Sequence, residues 1–349
     1  MTIRDVEFYL VQVECEAREA PLRSLLVRLS TDQGLEGWGE AHLGWRSSEL
    51  AARRDALLPI LAGRSIFDVE DLLELEPLQP APLRAALEMA SWDLIGWITR
   101  QPLCHLFGGR YRSRIPLAVR LPDGKADRVA RLARELADRG FHSQVLTLQG
   151  RLESDLQMVA AVREGAGERI ELRLDAAQRY DMETARDLCA EIESAGVQFV
   201  VDPLRDGDLD QIASLRRQVE VPLGVWRSIR GPADVLALVR CGAAPFAVVD
   251  LQRVGGIAPA RQCAAIARAA GLAASLGGGP STGVGVAAML HVAASTPAFA
   301  GCNECASYQL EDDLLANPLE VLDGMLTVPQ GAGLGVEVDR ARLETYQVG

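Results

Sequence analysis

The sequence predicts an α/β fold in which an eight-stranded (β/α) barrel follows a smaller α+β domain. Three observations carry this. From about residue 114 onward, short runs rich in Val, Ile and Leu alternate with amphipathic segments at intervals of roughly 23 to 29 residues, the length of successive βα units. Several of those segments stop at a glycine suited to the left-handed position after a helix. The first 112 residues do not follow the repeat, and a chain of 349 residues with 48% hydrophobic content can bury one large core plus a satellite.

In the first domain (residues 1–112), Val6 to Glu14 and Leu25 to Leu29 read as antiparallel strands, and Ser48 to Leu61 and Pro82 to Thr99 as helices. The second helix carries Ala86, Met89, Ala90, Leu94 and Ile95 on a 3.6-period apolar stripe. The barrel (residues 113–317) draws its strands from Ile115 to Leu121, Ser143 to Gln149, Ile170 to Asp175, Phe199 to Asp202, Leu223 to Arg227, Phe246 to Asp250, Ala273 to Leu276 and Phe299 to Glu304. Between them, the helices Ala126 to Arg139, Met182 to Ala195 and Pro232 to Cys241 end at Gly140, Gly196 and Gly242. The tail (residues 318–349) is strand-like, with turn signals at Asp323-Gly324 and Gly331-Ala332-Gly333, and is expected to return to the first domain.

A net charge of −12 and a pI near 5.0 oppose nucleic acid and anionic membrane surfaces as partners, since a basic patch would act against the field of the whole molecule. The start Met1-Thr2-Ile3-Arg4-Asp5 lacks a basic and then apolar leader, and no window approaches a membrane span, so a soluble, unprocessed, cytoplasmic protein is expected. Seven scattered cysteines suit free thiols, Cys302 and Cys305 included, because a zinc site would want a second Cys/His pair nearby. Lys125 is the only lysine among 36 Lys and Arg residues, which excludes any mechanism needing two lysines.

Active sites of such barrels are built at the C-terminal strand ends. The polar residues there are Thr147, Gln149, Asp175, Asp202, Arg227, Asp250, Ser275 and Glu304. Carboxylates from neighbouring strands can converge on a divalent ion, and an acid beside a base can remove a proton next to a carbonyl. The glycine-rich run Gly277 to Gly283 reads as a turn, with a backbone anion site as the other reading. His291 lies on an apolar helical run with Ala287, Ala288 and Leu290 and reads as a packed residue.

Several segments then share an order and spacing with a known family. They are Gly37-Trp38-Gly39-Glu40, Trp92-Asp93-Leu94-Ile95-Gly96, Pro102-Leu103, Leu106-Phe107-Gly108-Gly109, Leu174-Asp175-Ala176, Asp202-Pro203-Leu204, Val221-Pro222-Leu223, Asp250 to Ile257 and Glu304. Over roughly residues 35 to 310 the chain resembles the enolase superfamily, in its mandelate racemase and muconate lactonizing branch. The resemblance implies an N-terminal α+β capping domain over a modified TIM-type (β/α) barrel, with magnesium stabilising an enolate formed next to a carboxylate. It is also the reason to expect a homo-oligomer.

Carried over by position, that chemistry is incomplete. Where the family presents two lysines on the second barrel strand, this chain has Val145 and Thr147. Of the three metal-ligand positions only Asp175 is retained; the second falls on Val201 and the third on Trp226 or Arg227. Asp202 is expected to point to the opposite face by strand alternation. Asp250 matches an aspartate that pairs with a histidine in the racemase branch, yet no histidine lies between His142 and His291. A complete magnesium site is therefore not expected, and Arg227 is expected to pair with Asp175 or to cradle a ligand anion with it.

Two readings follow. In the first, a divergent member has lost or altered magnesium-dependent proton abstraction and binds a small anionic molecule, through Thr147, Gln149 and Asp175 and through Arg18, His42 and Arg46 on the loops expected to reach over the barrel. In the second, a metal-independent lyase or isomerase uses Asp250 or Glu304 as acid or base and Arg227 as electrophile.

Overall fold

A computed structural model describes residues 1–15, 21–78, 80–305 and 310–348. The first domain opens with an antiparallel sheet of β1 (Ile3–Val13), β2 (Leu22–Thr31) and β3 (Glu36–Ala41), in that order. Helices α1 (Ser47–Leu61), α2 (Val69–Leu73) and α3 (Ala81–Thr99) follow, then the short α4 (Leu103–Leu106). The third strand escapes a propensity reading because it contains Gly37 and Gly39. Both glycines are needed, since a Cβ on either would run into the backbone carbonyls of Ala90 and Ala86 on α3. Helix α3 is buried on two sides rather than along one stripe: Ala86, Ala90, Leu94 and Ile95 join the core of the first domain, while Ala85 and Met89 join that of the barrel.

The barrel strands are β4 (Arg114–Arg120), β5 (Ser143–Thr147), β6 (Glu171–Asp175), β7 (Val197–Val201), β8 (Leu223–Val225), β9 (Phe246–Val249), β10 (Ala273–Leu276) and β11 (Asn303–Glu304). Consecutive strands from β4 to β10 pair in parallel, and β11 pairs with β4, which makes the α/β architecture a modified (β/α) barrel. The outer helices are α5 (Ala126–Asp138), α6 (Leu152–Ala166), α7 (Met182–Glu191), α8 (Leu209–Arg216), α9 (Pro232–Cys241), α10 (Leu251–Val254), α11 (Ile257–Ala269) and α12 (Gly283–Ser295). Gly140, Gly196 and Gly242 all have positive φ at the ends of their helical segments, as their placement in the sequence predicts.

Several strand boundaries differ from expectation. β5 stops at Thr147 and β8 at Val225, leaving Gln149, Trp226 and Arg227 in the loops beyond. The predicted strand Phe299 to Glu304 is a 3₁₀ turn over Pro297–Phe299 followed by two strand residues. At the β10–β11 seam the Asn303 side chain stands in for a ladder bond, its Oδ1 accepting from Leu276 N at 2.8 Å. Inside the barrel, the almost fully buried Arg173 lies against the Phe199 and Phe246 rings and donates to Cys302 O at 3.0 Å.

After the barrel, β12 (Val321–Leu322) and β13 (Met325–Thr327) form a hairpin whose second strand pairs antiparallel with β4. The chain then passes α3 and ends in α13 (Arg340–Tyr346), with Val348 N donating to Leu10 O at 2.9 Å on β1. No helix among the described residues is long and apolar enough to cross a membrane.

Buried carboxylates lock the first domain to the barrel. Glu40, at the end of β3, accepts from Thr282 N, Thr282 Oγ1 and Gly285 N at 2.7–3.0 Å, capping α12, and from Ser24 Oγ at 2.7 Å. Glu88 accepts from the first amides of α11, Ile257 N and Ala258 N. The adjoining Gly256 has φ +140, and a Cβ there would strike the Glu88 carboxylate. Asp93 joins Trp38 N and Leu334 N at 3.0 and 2.8 Å.

Candidate functional site

The register places Arg120, Thr147 and Asp175 at the ends of three adjacent strands, with Glu304 beside them on β11. Arg120 links the group. Its Nη1 donates to Thr147 Oγ1 at 2.7 Å and Asp175 Oδ2 at 2.8 Å, and its Nη2 to Glu304 Oε2 at 2.9 Å. From the far side, Arg227 donates Nη1 to Asp175 Oδ1 at 2.7 Å and Nη2 to Oδ2 at 3.0 Å, a two-pronged pair that guanidinium geometry favours. Both guanidiniums are about one-quarter exposed, whereas the Asp175 side chain is nearly buried. Burial works to raise the Asp175 carboxyl, but the Arg227 and Arg120 charges outweigh it and hold it below the usual carboxylate value.

Asp202 does not point away as strand alternation predicts. β7 ends one residue earlier, and Asp202 adopts φ +47, which turns its carboxylate back to the mouth. It accepts from Trp226 N and Arg227 N, both at 2.9 Å, and from Arg227 Nη1 at 3.0 Å. Burial raises its carboxyl in spite of these donors. Asp202 thus fixes the backbone that delivers Arg227.

Trp226 does not plug the mouth. Its ring lies 4.5 Å from the Arg227 guanidinium and beside an open cavity of about 290 Å³ lined by Arg120, Thr147, Asp175, Arg227 and Glu304. Beneath, Val201 packs with Phe199 and Val248, and Trp226 and Phe246 rest on them. Both Asp175 oxygens already accept from guanidiniums, an apolar cluster occupies the other ligand positions, and no group of three His, Cys, Asp or Glu able to hold a metal exists among the described residues.

Asp250 caps α10 through Gln252 N at 2.9 Å, and burial raises its carboxyl against that bond and the His42 and Arg253 charges. His42, Asp250 and Glu304 line one narrow cavity, with His42 anchored by its backbone N–H to Gln252 Oε1 at 3.2 Å.

Other predicted site residues lie elsewhere. Gln149 is exposed on the rim, joined to Asp123 and Arg179, and does not line the mouth cavity. Arg46 is exposed at the start of α1, because the loop turns into the helix there instead of reaching the barrel. Arg18 is outside the described residues. The glycine-rich run is a turn whose helix-end amides go to the protein itself: Glu40 takes Thr282 N and Gly285 N, and Asp313 takes Gly283 N at 2.9 Å. His291 is packed as expected, Nδ1 accepting from Cys104 N and Nε2 facing Leu334 O. The seven cysteines form no disulfide among the described residues. Arg120, the centre of the network, is absent from the sequence-based set, although its place at the end of the first barrel strand was a readable signal.

The fold is that of a known lineage. Residues 10–108 match the mandelate racemase/muconate lactonizing enzyme N-terminal domain, and residues 128–342 the enolase C-terminal domain-like family. Chloromuconate cycloisomerase of Cupriavidus pinatubonensis is 28% identical, the match covering 93% of this chain and 91% of that protein. The L-Lys-D/L-Arg epimerase of Methylococcus capsulatus is 30% identical over 90% of each chain. The solved 2-chloromuconate cycloisomerase of Rhodococcus opacus 1CP superposes with a TM-score of 0.92 at 25% identity, covering 99% of both chains. With capping domain and barrel both matched in order, the chain belongs to the mandelate racemase/muconate lactonizing enzyme branch of the enolase superfamily.

Proposed function

We propose that this chain is a divergent member of its family that binds a small carboxylate-type ligand at the barrel mouth, with magnesium-dependent proton abstraction lost or altered. The observation that carries the reading is the double engagement of Asp175 by Arg120 and Arg227. Two fixed positive charges stand beside the carboxylate where the family's ion would, and each keeps an exposed part towards the cavity. Guanidiniums suit planar oxyanions, so a ligand carboxylate is the matching chemistry.

The test is calorimetric titration with magnesium chloride, beside a thermal-shift screen of small carboxylic acids. The reading expects no stoichiometric magnesium heat and a concentration-dependent stabilisation by some acids that disappears in Arg120→Gln. A stoichiometric, saturable magnesium site would overturn it.

A second reading, a metal-independent lyase or isomerase, is favoured by one observation: Asp250 and Glu304 share a narrow cavity with His42. In this reading Asp250, its carboxyl raised by burial, or Glu304 exchanges the proton. Arg227 serves it less well as an electrophile, being tied to Asp175 and Asp202. Turnover of an acid substrate that survives chelators and collapses in Asp250→Asn or Glu304→Gln would support it; turnover unchanged in both variants would remove it.

A further inference from the structure

Beside the mouth, at the seam between α3 and the loops after β8 and β9, lies a larger cavity of about 560 Å³. Its lining is unbalanced in charge: Arg84, Arg230 and Arg253, with His42, face the single carboxylate Asp250. The first turn of α3, at Ala81 and Pro82, also opens onto it and adds the partial positive charge of a helix start.

Three buried donors without a partner among the described residues, Arg84 Nε, Arg253 Nε and Trp226 Nε1, belong to the residues of this lining. Buried N–H groups are rarely left without acceptors. Their positions are also built. Gly255, at φ +92, leaves room for the Arg84 guanidinium, since a Cβ there would come within 2.9 Å of Arg84 Nη2. Arg253 is held by its Nη1 bond to Arg227 O at 3.3 Å and lies 5.9 Å from the Trp226 ring.

We propose that this seam cavity is an anion site that takes the carboxylate or phosphate group of a small acidic molecule, held by Arg84, Arg253 and the indole N–H of Trp226. Guanidinium and indole donors converging in a partly enclosed space are the chemistry that recognises such an oxyanion. The site lies apart from the Asp175 centre, sharing only Trp226 and Gly279 with the lining of the mouth cavity, and it does not depend on the reading given for the mouth.

The test titrates the full chain with inorganic phosphate and, separately, with succinate, following binding by calorimetry and folding of every variant by circular dichroism. Saturable binding of either probe is expected, weakened about tenfold or more by Arg84→Gln or Arg253→Gln and about threefold by Trp226→Phe, which keeps the ring but removes the donor. Binding of phosphate alone identifies a phosphate-bearing ligand, and binding of succinate alone a carboxylate. Arg120→Gln, which breaks the mouth network, should leave this binding intact. No saturable heat up to about 10 mM of either probe overturns the proposal. So does binding that survives Arg84→Gln and Arg253→Gln but disappears in Arg120→Gln, a result that would move the anion to the mouth and leave the reading of that site standing.

Discussion

Arg227 meets Asp175 as a two-pronged ion pair, with Nη1 2.7 Å from Oδ1 and Nη2 3.0 Å from Oδ2. The carboxylate is nearly buried and receives a second guanidinium from Arg120, so it is the one acid shared by both arginines, each of which pairs with one further acid, Glu304 for Arg120 and Asp202 for Arg227. Replacing it by Asn would leave two partly buried cations facing each other. Asp175→Asn is expected to lower stability by about 3–5 kcal/mol, the usual cost of breaking a buried pair from one side. Urea unfolding midpoints read the effect, and a loss within ~0.5 kcal/mol would show the network to be energetically idle.

Glu40 joins the first domain to α12 through three donors, with Ser24 Oγ of β2 a fourth partner within its own domain. Burial works against its charge, but His42 and the Ser24 and Thr282 donors win, so its pKa lies below the ordinary 4.5. A depressed acid stabilises the fold above its unfolded pKa and stops doing so as pH falls through the folded value. Glu40→Gln should cost about 2 kcal/mol at neutral pH. It should also remove a stability loss that the native chain shows below about pH 4.5. Denaturant midpoints of both proteins between pH 3 and 7 test this.

Glu88 and Asp93 behave in the opposite sense. Desolvation lifts each to about 7, against ordinary values of 4.5 and 3.8, although backbone amides pull the other way. The folded state then holds protons that the unfolded chain has released, and stability falls as pH rises from about 4 to about 7. The expected slope corresponds to on the order of 3 kcal/mol per group over that window, at ~1.4 kcal/mol per pKa unit. Glu88→Gln and Asp93→Asn should each flatten it, and an unchanged slope in both variants would contradict the assignment.

His291 is buried and neutral, its pKa pushed down to about 4 by desolvation. A base with a depressed folded pKa favours the fold above its unfolded value and loses that contribution as pH falls from 6.5 towards 4. Among the four histidines, one set of ring resonances should stay fixed in NMR titrations from about pH 8 to 5.5. Its disappearance in His291→Asn would assign it, while four titrating rings would exclude a buried neutral histidine.

Much of the architecture was legible because it rests on local periodicity. The βα repeat, the glycine stops at Gly140, Gly196 and Gly242, and the motif order from Gly37 to Glu304 led to the right fold and family. The residue types at Val201 and Trp226, which offer magnesium no oxygen, are likewise read from the sequence alone. The third strand was hidden by Gly37 and Gly39, whose purpose is close packing on α3.

What the amino-acid order determined by itself was the barrel, the capping domain and which residue types stand at the family's metal-site positions, since side-chain identity and spacing are properties of one segment at a time. Only the folded chain decided what fills that site. Arg120 reaches Asp175 across 55 positions of sequence, Asp202 turns inward through a single left-handed residue, and His42 of the other domain lines one cavity with Asp250. Each depends on strand register, a backbone reversal or domain docking, and the direction of a side chain past the end of a strand is set by those long-range contacts.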